Sequence, residues 1–416
     1  QYIHDKKLRK KLKKIVSEET LSKQFDTNFH RSSQIVYGAD GSEVEIAFDE
    51  GIVRALDRSK PICEVELELK TGSPKVLLYI AKKLFSNRSL KFSDLSKAES
   101  GYQLINGENT INIKPIRAHY QKLSSDHNFE EVITLIFRSI ANQIQKNWDF
   151  ILIADDPEGV HQLRVGLRRL RSALKLFRPI IDTQGLREFD TQARDVGRGL
   201  ADLRDIDVFL SDILSPVYKT RANDLSFVAL KKILVNLRAS TLIKVRELLQ
   251  DKKWSSFKLE LAMLPEVLRY SRKKDVIKDF NRPINQLANK LLSKYWKSLT
   301  KFGHNLEEMS IEEFHDLRKN LKTLRYSVEM FSSLYPKKNL QNFMKSLREL
   351  QNKFGYINDV TLIEKITNVE IKNSDALAQR AVGFLDGFYD QRTQEMRKSI
   401  RKEWNKFERR RKFWET

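Results

Sequence analysis

The sequence predicts an α+β N-terminal part followed by a large all-α domain of two repeated four-helix bundles. Alternating strand patterns are confined to the region before about residue 113. Beyond about residue 118, apolar residues recur with a period near 3.6 over segments of roughly 20 to 30 residues. The chain holds only 15 Gly and 9 Pro, which favours long helices. An internal repeat at an offset of 154 residues divides the helical part into two similar halves.

Composition and charge narrow the class of protein. The 416 residues are 40% hydrophobic and 31% charged, which is apolar enough for two or three folded domains and too apolar for a disordered chain. The formal net charge is +21 and the isoelectric point is about 9.7. Because such an excess repels itself, it indicates a polyanionic partner: nucleic acid, an anionic membrane surface or a phosphate polymer.

Cysteine usage and hydropathy exclude further classes of protein. Cys63 is the single cysteine, so an intramolecular disulfide and zinc-finger spacings are excluded, and a reducing compartment such as the cytoplasm suits the chain. No run of about 18 apolar residues occurs, so we expect no membrane span. Residue 1 is Gln rather than Met, so we expect the natural chain to begin earlier.

The N-terminal part, which we assign to residues 1–116, mixes helices and strands. Its expected helices are Leu8–Ile15, which is strongly basic, and Pro74–Phe85. Its expected strands are Ser33–Tyr37 and Ser42–Phe48, joined by a turn at Gly38–Gly41, and Pro61–Lys70.

The helical domain, which we assign to residues 117–416, has repeats at about 125–255 and 280–410. About eight helices are expected, separated by clusters of helix-breaking residues. The expected breaks are Asp155–Pro157, Asp182–Gly185, Pro216, Pro265, Arg282–Pro283, Glu307–Ser310 and Pro336.

The repeat begins with a His-led motif. His161-Gln-Leu-Arg164 aligns with His315-Asp-Leu-Arg318, and the offset of 154 (315 − 161) then holds without a gap. Further matched pairs are Leu167 and Leu321, Arg168 and Lys322, Leu170 and Leu324, Arg171 and Arg325, Phe177 and Phe331, Arg194 and Arg348, Leu203 and Ile357, and Asp205 and Asp359. Matches over so many positions indicate two units built on one template.

Each motif opens a basic helix whose cations recur every three or four residues and therefore form one stripe. The first basic stripe consists of His161, Arg164, Arg168, Arg171 and Lys175. The second basic stripe consists of His315, Arg318, Lys322 and Arg325. Four cations of the following helices could face the same groove: Arg194, Arg198, Lys345 and Arg348.

Stacked cations without acidic partners repel one another, and a bound polyanion relieves that repulsion. Arginine suits phosphate because its planar fork donates to two oxygens at once. A solvated helix face is the ordinary alternative for one such stripe, but two matched copies favour an anion-binding groove.

The two motif histidines have three possible roles. His161 and His315 could donate to phosphate, and protonation near pH 6.5 would then strengthen binding. Either could instead cap or pack its helix. Metal ligation is the third role, although no second His or carboxylate lies four residues later on the same face.

An acidic strand in the N-terminal part is the second candidate site. Glu64, Glu66, Glu68 and Lys70 share one face of the strand, while apolar residues form the other. Adjacent carboxylates repel, and a hard divalent cation such as Mg²⁺ or Mn²⁺ removes that cost. The alternative is an exposed amphipathic strand without a ligand.

The helical domain resembles the CHAD (conserved histidine α-helical domain) family. The resemblance rests on His161-Gln-Leu-Arg-Val-Gly-Leu-Arg-Arg-Leu-Arg171, on its twin from His315, and on Leu203-Arg-Asp205 and Ile357-Asn-Asp359. It covers about 120–416. It implies two four-helix bundles about a pseudo-twofold axis, with a central basic groove that binds inorganic polyphosphate without a cofactor.

The N-terminal part resembles the second half of a CYTH domain, the triphosphate tunnel metalloenzyme fold. The matching segments are Phe25-Asp-Thr-Asn-Phe29-His-Arg31, Glu43-Val-Glu45, Asp49-Glu-Gly51, Pro61–Gly72 and Ser96–Tyr102. The resemblance implies part of an eight-stranded antiparallel tunnel. It also implies that Glu64, Glu66 and Glu68 bind Mg²⁺ or Mn²⁺. The residues implied to hold phosphates are Arg31, Arg54, Lys70 and Lys97.

The chain departs from the CYTH pattern at its start. The family's opening Glu-x-Glu-x-Lys strand has no counterpart and is expected before Gln1, and Ser100 stands where a basic residue is usual. A half tunnel cannot enclose a triphosphate. We therefore expect a metal-dependent triphosphatase as the parent protein and an inactive hydrolase in this chain, and whether it is an enzyme stays open.

Together these features predict a CYTH–CHAD protein that binds inorganic polyphosphate or tripolyphosphate, located in the cytoplasm and associated with polyphosphate granules. One alternative is a nucleic-acid-binding helical protein. It is disfavoured because Phe177 and Phe331 lie on the apolar stripe rather than among the cations. The other is a scaffold that binds metal through the histidines.

Overall fold

The computed structural model describes residues 5–16, 22–85, 87–88, 91–93, 95–106, 114–181, 183–269, 283–301, 306, 309–366 and 375–415. Within these ranges, the side chains of residues 13, 15, 16, 267, 269, 311, 358–361, 364, 397 and 398 lie outside the description. The matched residue Asp359 is among them. The chain forms two units: Gln1–Leu77 with Phe92–Ile113, and Leu78–Lys91 with Lys114–Thr416.

The first unit is built on a three-stranded antiparallel sheet. Its order is β1 (Asp26–Tyr37), β2 (Glu43–Ala55) and β3 (Arg58–Thr71), and helix α1 (Lys6–Val16) precedes it. All three expected strands and the basic helix are confirmed. β1 begins seven residues earlier than expected (33 − 26), because Asp26–Ser32 are mostly polar and hide the alternation.

Strand register brings three charged residues of the sheet together on one face. Arg31 lies opposite Asp49, and Asp49 lies opposite Glu64. Helix α3 (Lys97–Ile105) begins at a capping box, in which Ser96 and Glu99 satisfy each other's backbone amides. That cap puts Lys97 at the first position of the helix, beside this face of the sheet.

The second unit is helical, as predicted, and no helix in its described residues is long and apolar enough to cross a bilayer. Helix α2 (Lys75–Phe85), also expected, begins in the first unit and continues into the second. The other helices are α4 (Phe129–Ile153), α5 (Pro157–Phe177), α6 (Gln184–Gly199), α7 (Ala201–Val208), α8 (Ser215–Tyr218), α9 (Leu225–Gln250), α10 (Ser255–Arg269), α11 (Ile284–Thr300), α12 (Ile311–Met330), α13 (Lys337–Ile366) and α14 (Ala376–Glu408).

The helix starts follow from their capping residues. Asp156 caps α5, whose first residue is Pro157, and Ser310 forms a capping box with Glu313 at α12. The break at 155–157 is confirmed, because α4 ends at Ile153 and α5 begins at Pro157. The break at Pro336 is confirmed, because α13 begins at Lys337. The breaks at 182–185, 282–283 and 307–310 are confirmed at the residues that the structure describes. Residues 182, 282, 307 and 308 lie outside them.

Two of the expected breaks are wrong. α10 runs through Pro265, because buried Leu261, Leu264 and Leu268 on both sides of it hold the helix in the core and offset the lost hydrogen bond. Pro216 lies within α8, which continues from a π-helical turn at Phe209–Leu214.

Candidate functional site

Helix α5 presents the first basic stripe because its apolar stripe is buried. Leu163, Leu167 and Leu170 lie in the core, so His161, Arg164 and Arg168 on the neighbouring side of the helix remain only half-buried. Helix α12, which carries the second basic stripe, packs against α5. The structure therefore brings the two helices of the repeat side by side.

His161 lies among cations. Burial lowers its pKa to about 4, and the positive charge of Arg204 lowers it further, as do Arg168 and Lys322, while Glu158 acts in the opposite direction. The imidazole is thus neutral at pH 7, and the expectation that it protonates near pH 6.5 is corrected. Lys322 belongs to the second basic stripe, so its effect on the pKa of His161 shows that cations of both stripes lie near this ring.

Arg164 is fixed by a carbonyl of the next helix. Its Nη1 donates to the Gly197 oxygen at 2.6 Å. Burial lowers the pKa of Arg164 to about 10, with Arg168 the next cause, so the guanidinium still carries its charge at pH 7. The buried Nε has no hydrogen-bond partner within the described residues. It is a donor available to a ligand.

Arg168 and Arg204 have no carboxylate within ion-pair distance in the part of the chain that the structure describes. The acids beside Arg204 are engaged elsewhere: Asp202 and Asp205 pair with Lys365 at 3.0 and 2.8 Å. Arg204 was not among the predicted site residues, although Leu203-Arg-Asp205 marked its position. We call Arg164, Arg168, Arg204 and Lys322, grouped around His161, the cationic face.

Other members of the predicted set contact carboxylates or amides instead. Arg171 pairs with Asp190 at 2.9 Å, Arg194 and Arg198 lie 3.8 and 3.6 Å from Asp195, and Arg325 and Arg348 lie 4.0 and 3.9 Å from Glu329. The Lys175 ammonium contacts Asn320 of α12 at 3.4 Å. Arg318 is half-buried, and His315 and Lys345 are exposed. Arg171, Arg194, Arg198, Arg325 and Arg348 therefore form an internally paired group, distinct from the cationic face.

The first unit holds a separate cluster centred on Asp49. This carboxylate is 0% exposed and accepts two hydrogen bonds of 2.7 Å from the guanidinium of Arg31. Arg31 is the main reason that the pKa of Asp49 falls to about 2. The same guanidinium reaches Glu66 at 2.6 Å. Asp49 was missed as a site residue because a lone acid in a strand gives no signal of its partners.

Lys97 occupies the middle of this cluster. Its ammonium lies 2.7 Å from Asp49, 3.0 Å from Glu64 and 2.9 Å from Glu66. Oxygens of the same three carboxylates lie within 4.8 Å of one another, so they could hold a cation. We call these three residues the carboxylate cage. Hard divalent cations prefer such oxygens, so the donor set fits Mg²⁺ or Mn²⁺.

The remaining residues implied by the CYTH resemblance lie outside the cage. Glu68 pairs with Lys70 at 3.0 Å, and Lys70 also pairs with Glu45 at 2.7 Å. Asp49 thus stands in the cage where Glu68 was expected. Arg54 is exposed and lies five positions from Asp49 on β2, hence on the opposite face of the strand.

A family model and a solved CHAD domain agree with this helical architecture. Residues 135–366 match the family model of the CHAD domain. The solved CHAD domain from the plant Ricinus communis is similar over 72% of this chain and 98% of that chain, with a TM-score of 0.60 and 24% identity. PptA from Streptomyces chartreusis aligns over 67% of this chain and 100% of that chain, with a TM-score of 0.49 and 13% identity.

A curated relative matches in the N-terminal region. An inorganic triphosphatase from Haemophilus influenzae is 39% identical over 85 residues, which are 20% of this chain and 24% of that protein. This chain thus spans only about a quarter of the length of that relative. The CHAD match, by contrast, covers more than half of the chain and includes both His-led helices. The protein belongs to the CHAD domain family.

Proposed function

We propose that this protein binds inorganic polyphosphate through the cationic face of its helical unit. The observation that carries the proposal is the arrangement around His161, where Arg168 and Arg204 have no acidic partner among the described residues and a half-buried ring is kept neutral. Closely spaced positive charges of this kind raise the energy of the unliganded protein. A chain of phosphoryl groups supplies the missing counter-charge.

The chemistry of the donors favours phosphate. Guanidinium groups donate two parallel hydrogen bonds to phosphate oxygens, and a partly buried site strengthens these charge-assisted bonds. Arg164 has an Nε–H without a partner in the described structure, and its other end is held by Gly197. The donor is therefore oriented before a ligand arrives, which lowers the entropic cost of binding.

Naked phosphate fits this face better than nucleic acid does. Proteins that bind single strands offer exposed aromatic rings on which bases stack. The matched aromatic residues at the C-terminal ends of the two basic helices, Phe177 and Phe331, are instead completely buried, and Phe314 of α12 stacks on Phe354. Competition would separate the two ligands: polyphosphate should displace DNA at equal phosphate concentration, and DNA should not displace polyphosphate.

For the first unit, we propose a role in a metal-dependent triphosphatase site of the complete protein. The resemblance to the tunnel fold and the similarity to the triphosphatase of Haemophilus influenzae support it. Asp49, Glu64 and Glu66 would hold Mg²⁺ or Mn²⁺, which would polarise the phosphoryl group and neutralise its oxygens. Arg31, and Lys97 once the ion has displaced its ammonium from these oxygens, would orient the phosphates.

Titration of the whole chain with long-chain polyphosphate tests the main proposal. We expect Arg168→Ala/Arg204→Ala to bind at least about tenfold more weakly than wild type and to show a shallower dependence of log Kd on log salt, by analogy with counterion release. The matched control is Lys244→Ala/Lys252→Ala, which removes two exposed charges of the same sign elsewhere. An equal loss of polyphosphate affinity in both double variants would overturn the proposal that the cationic face is the binding site.

A further inference from the structure

The two basic stripes differ in charge at one matched position. Lys175 ends the first stripe, and its counterpart at the offset of 154 is Glu329 (329 − 154 = 175). A pseudo-symmetric pair of helices thus carries a cation on one side and a carboxylate on the other. The difference falls within the set of residues predicted to bind phosphate.

Glu329 contacts two of those predicted cations. Its Oε1 lies 4.0 Å from Arg325 Nε and 3.9 Å from Arg348 Nη2. The carboxylate is only 16% exposed, so water screens these interactions incompletely. Glu329 therefore offsets part of the positive charge of Arg325 and Arg348, whereas Arg168 and Arg204 have no such carboxylate among the described residues.

A buried network holds Glu329 in place. Its other oxygen accepts a hydrogen bond from Tyr120, and the Tyr120 ring lies under the guanidinium of Arg169 at 4.6 Å. Arg169 is 1% exposed and bonds to Gln143. Burial, followed by the charge of Glu329, raises the pKa of Tyr120, so its hydroxyl remains a donor at neutral pH.

The segment that carries Tyr120 is itself attached to the helices. The Leu123 amide donates to Ser333 at 2.8 Å, and the Ile116 amide donates to Asn147 at 3.1 Å. Glu329 therefore has little freedom to turn away from Arg325 and Arg348 when an anion approaches. A phosphate at these two arginines would meet a fixed negative charge.

From these contacts we infer that Glu329 restricts polyanion binding along the second basic stripe and makes the binding surface of the two repeats unequal. This inference rests on the proposed function. The phosphate chain occupies the cationic face and extends toward Lys175, whereas Arg325 and Arg348 serve the network around Glu329. Residue 329 thereby sets how many phosphates the surface engages.

Glu329→Gln tests this inference because the amide oxygen still accepts the Tyr120 hydrogen bond while the charge is lost. We expect polyphosphate to bind about three- to tenfold more tightly, and the salt dependence of log K to steepen by about one ion as further phosphates are engaged. Glu349→Gln is the matched control, since it removes an exposed carboxylate next to Arg348 in sequence. It should change the affinity less than twofold.

A second pair of variants keeps the test decisive if Glu329→Gln perturbs the network. Arg325→Ala should weaken binding at least threefold more in the Glu329→Gln background than in wild type. Equal effects in both backgrounds, or an unchanged affinity of a folded Glu329→Gln protein, would overturn the inference. Failure of the proposed function would look different, because Arg168→Ala/Arg204→Ala would then bind polyphosphate as tightly as wild type does.

Discussion

The ring of Phe177 packs edge-to-face against the ring of Phe331, its own counterpart 154 residues later in the chain. Their centroids lie 6.0 Å apart at an interplanar angle of 81°, and both side chains are 0% exposed. The two copies of the motif therefore meet through equivalent residues. Each Phe ends the apolar stripe whose burial turns the basic stripe outward.

Truncation of either ring should destabilise the helical unit strongly. We expect Phe177→Ala and Phe331→Ala each to lower the free energy of unfolding by about 3–5 kcal/mol, because a buried phenyl leaves a cavity. The double variant should lose less free energy of unfolding than the sum of the two single losses, since the ring pair contributes about 0.5–1.5 kcal/mol beyond burial. Urea denaturation followed by circular dichroism measures this. The control is Phe384→Ala, whose ring is 36% exposed; comparable losses there would contradict a special role for the pair.

The repeat and both basic stripes could be predicted from sequence because helical periodicity and matched positions are local patterns. The partners of the stripes could not. Arg325 lies beside Glu329, which is four residues later on the same helix. The position of Glu329 is fixed in turn by Arg348 and Tyr120, which come from other parts of the chain. Asp49 was missed for the same reason: Arg31 and Lys97 reach it from distant positions through the sheet and a helix cap.

His161 should titrate well below an ordinary histidine. Its folded pKa of about 4 lies below its unfolded value near 6.5, so the unfolded chain binds the extra proton first. The stability contributed by the neutral ring is complete above about pH 6.5 and is lost as the pH falls toward 4. Urea unfolding at pH 7, 6 and 5 should show a decline that His161→Gln reduces and the exposed His30→Gln does not.

The same histidine reports the ligand. In an NMR titration, saturating polyphosphate should move the His161 pKa upward, because nearby negative charge favours the imidazolium. An unchanged His161 titration in the complex would contradict the placement of the phosphate chain at the cationic face.

Neutralising Asp49 should destabilise the first unit. Asp49→Asn leaves Arg31 and Lys97 without their shared buried acceptor, and breaking a buried ion pair costs about 3–5 kcal/mol. Glu68→Gln makes the same chemical change at a side chain that is 65% exposed and should cost well under about 1 kcal/mol. Hydrogen exchange of the β2 amides compares the two variants in the whole chain. Equal protection would contradict the structural role of Asp49.

Removal of Lys97 should open the carboxylate cage to a divalent cation. The cage and its two basic partners carry a net charge of −1 (three carboxylates, Arg31 and Lys97), and Lys97→Met changes it to −2. The variant should therefore bind Mn²⁺ at least about tenfold more tightly by calorimetry, because ion and ammonium require the same oxygens. Lys60→Met, which removes a lysine that contacts only Ser100 among the described residues, should leave Mn²⁺ affinity as in wild type. Glu64→Gln/Glu66→Gln in the Lys97→Met background should abolish the gain; if the gain persists without these carboxylates, Mn²⁺ binds elsewhere and the cage is not its site.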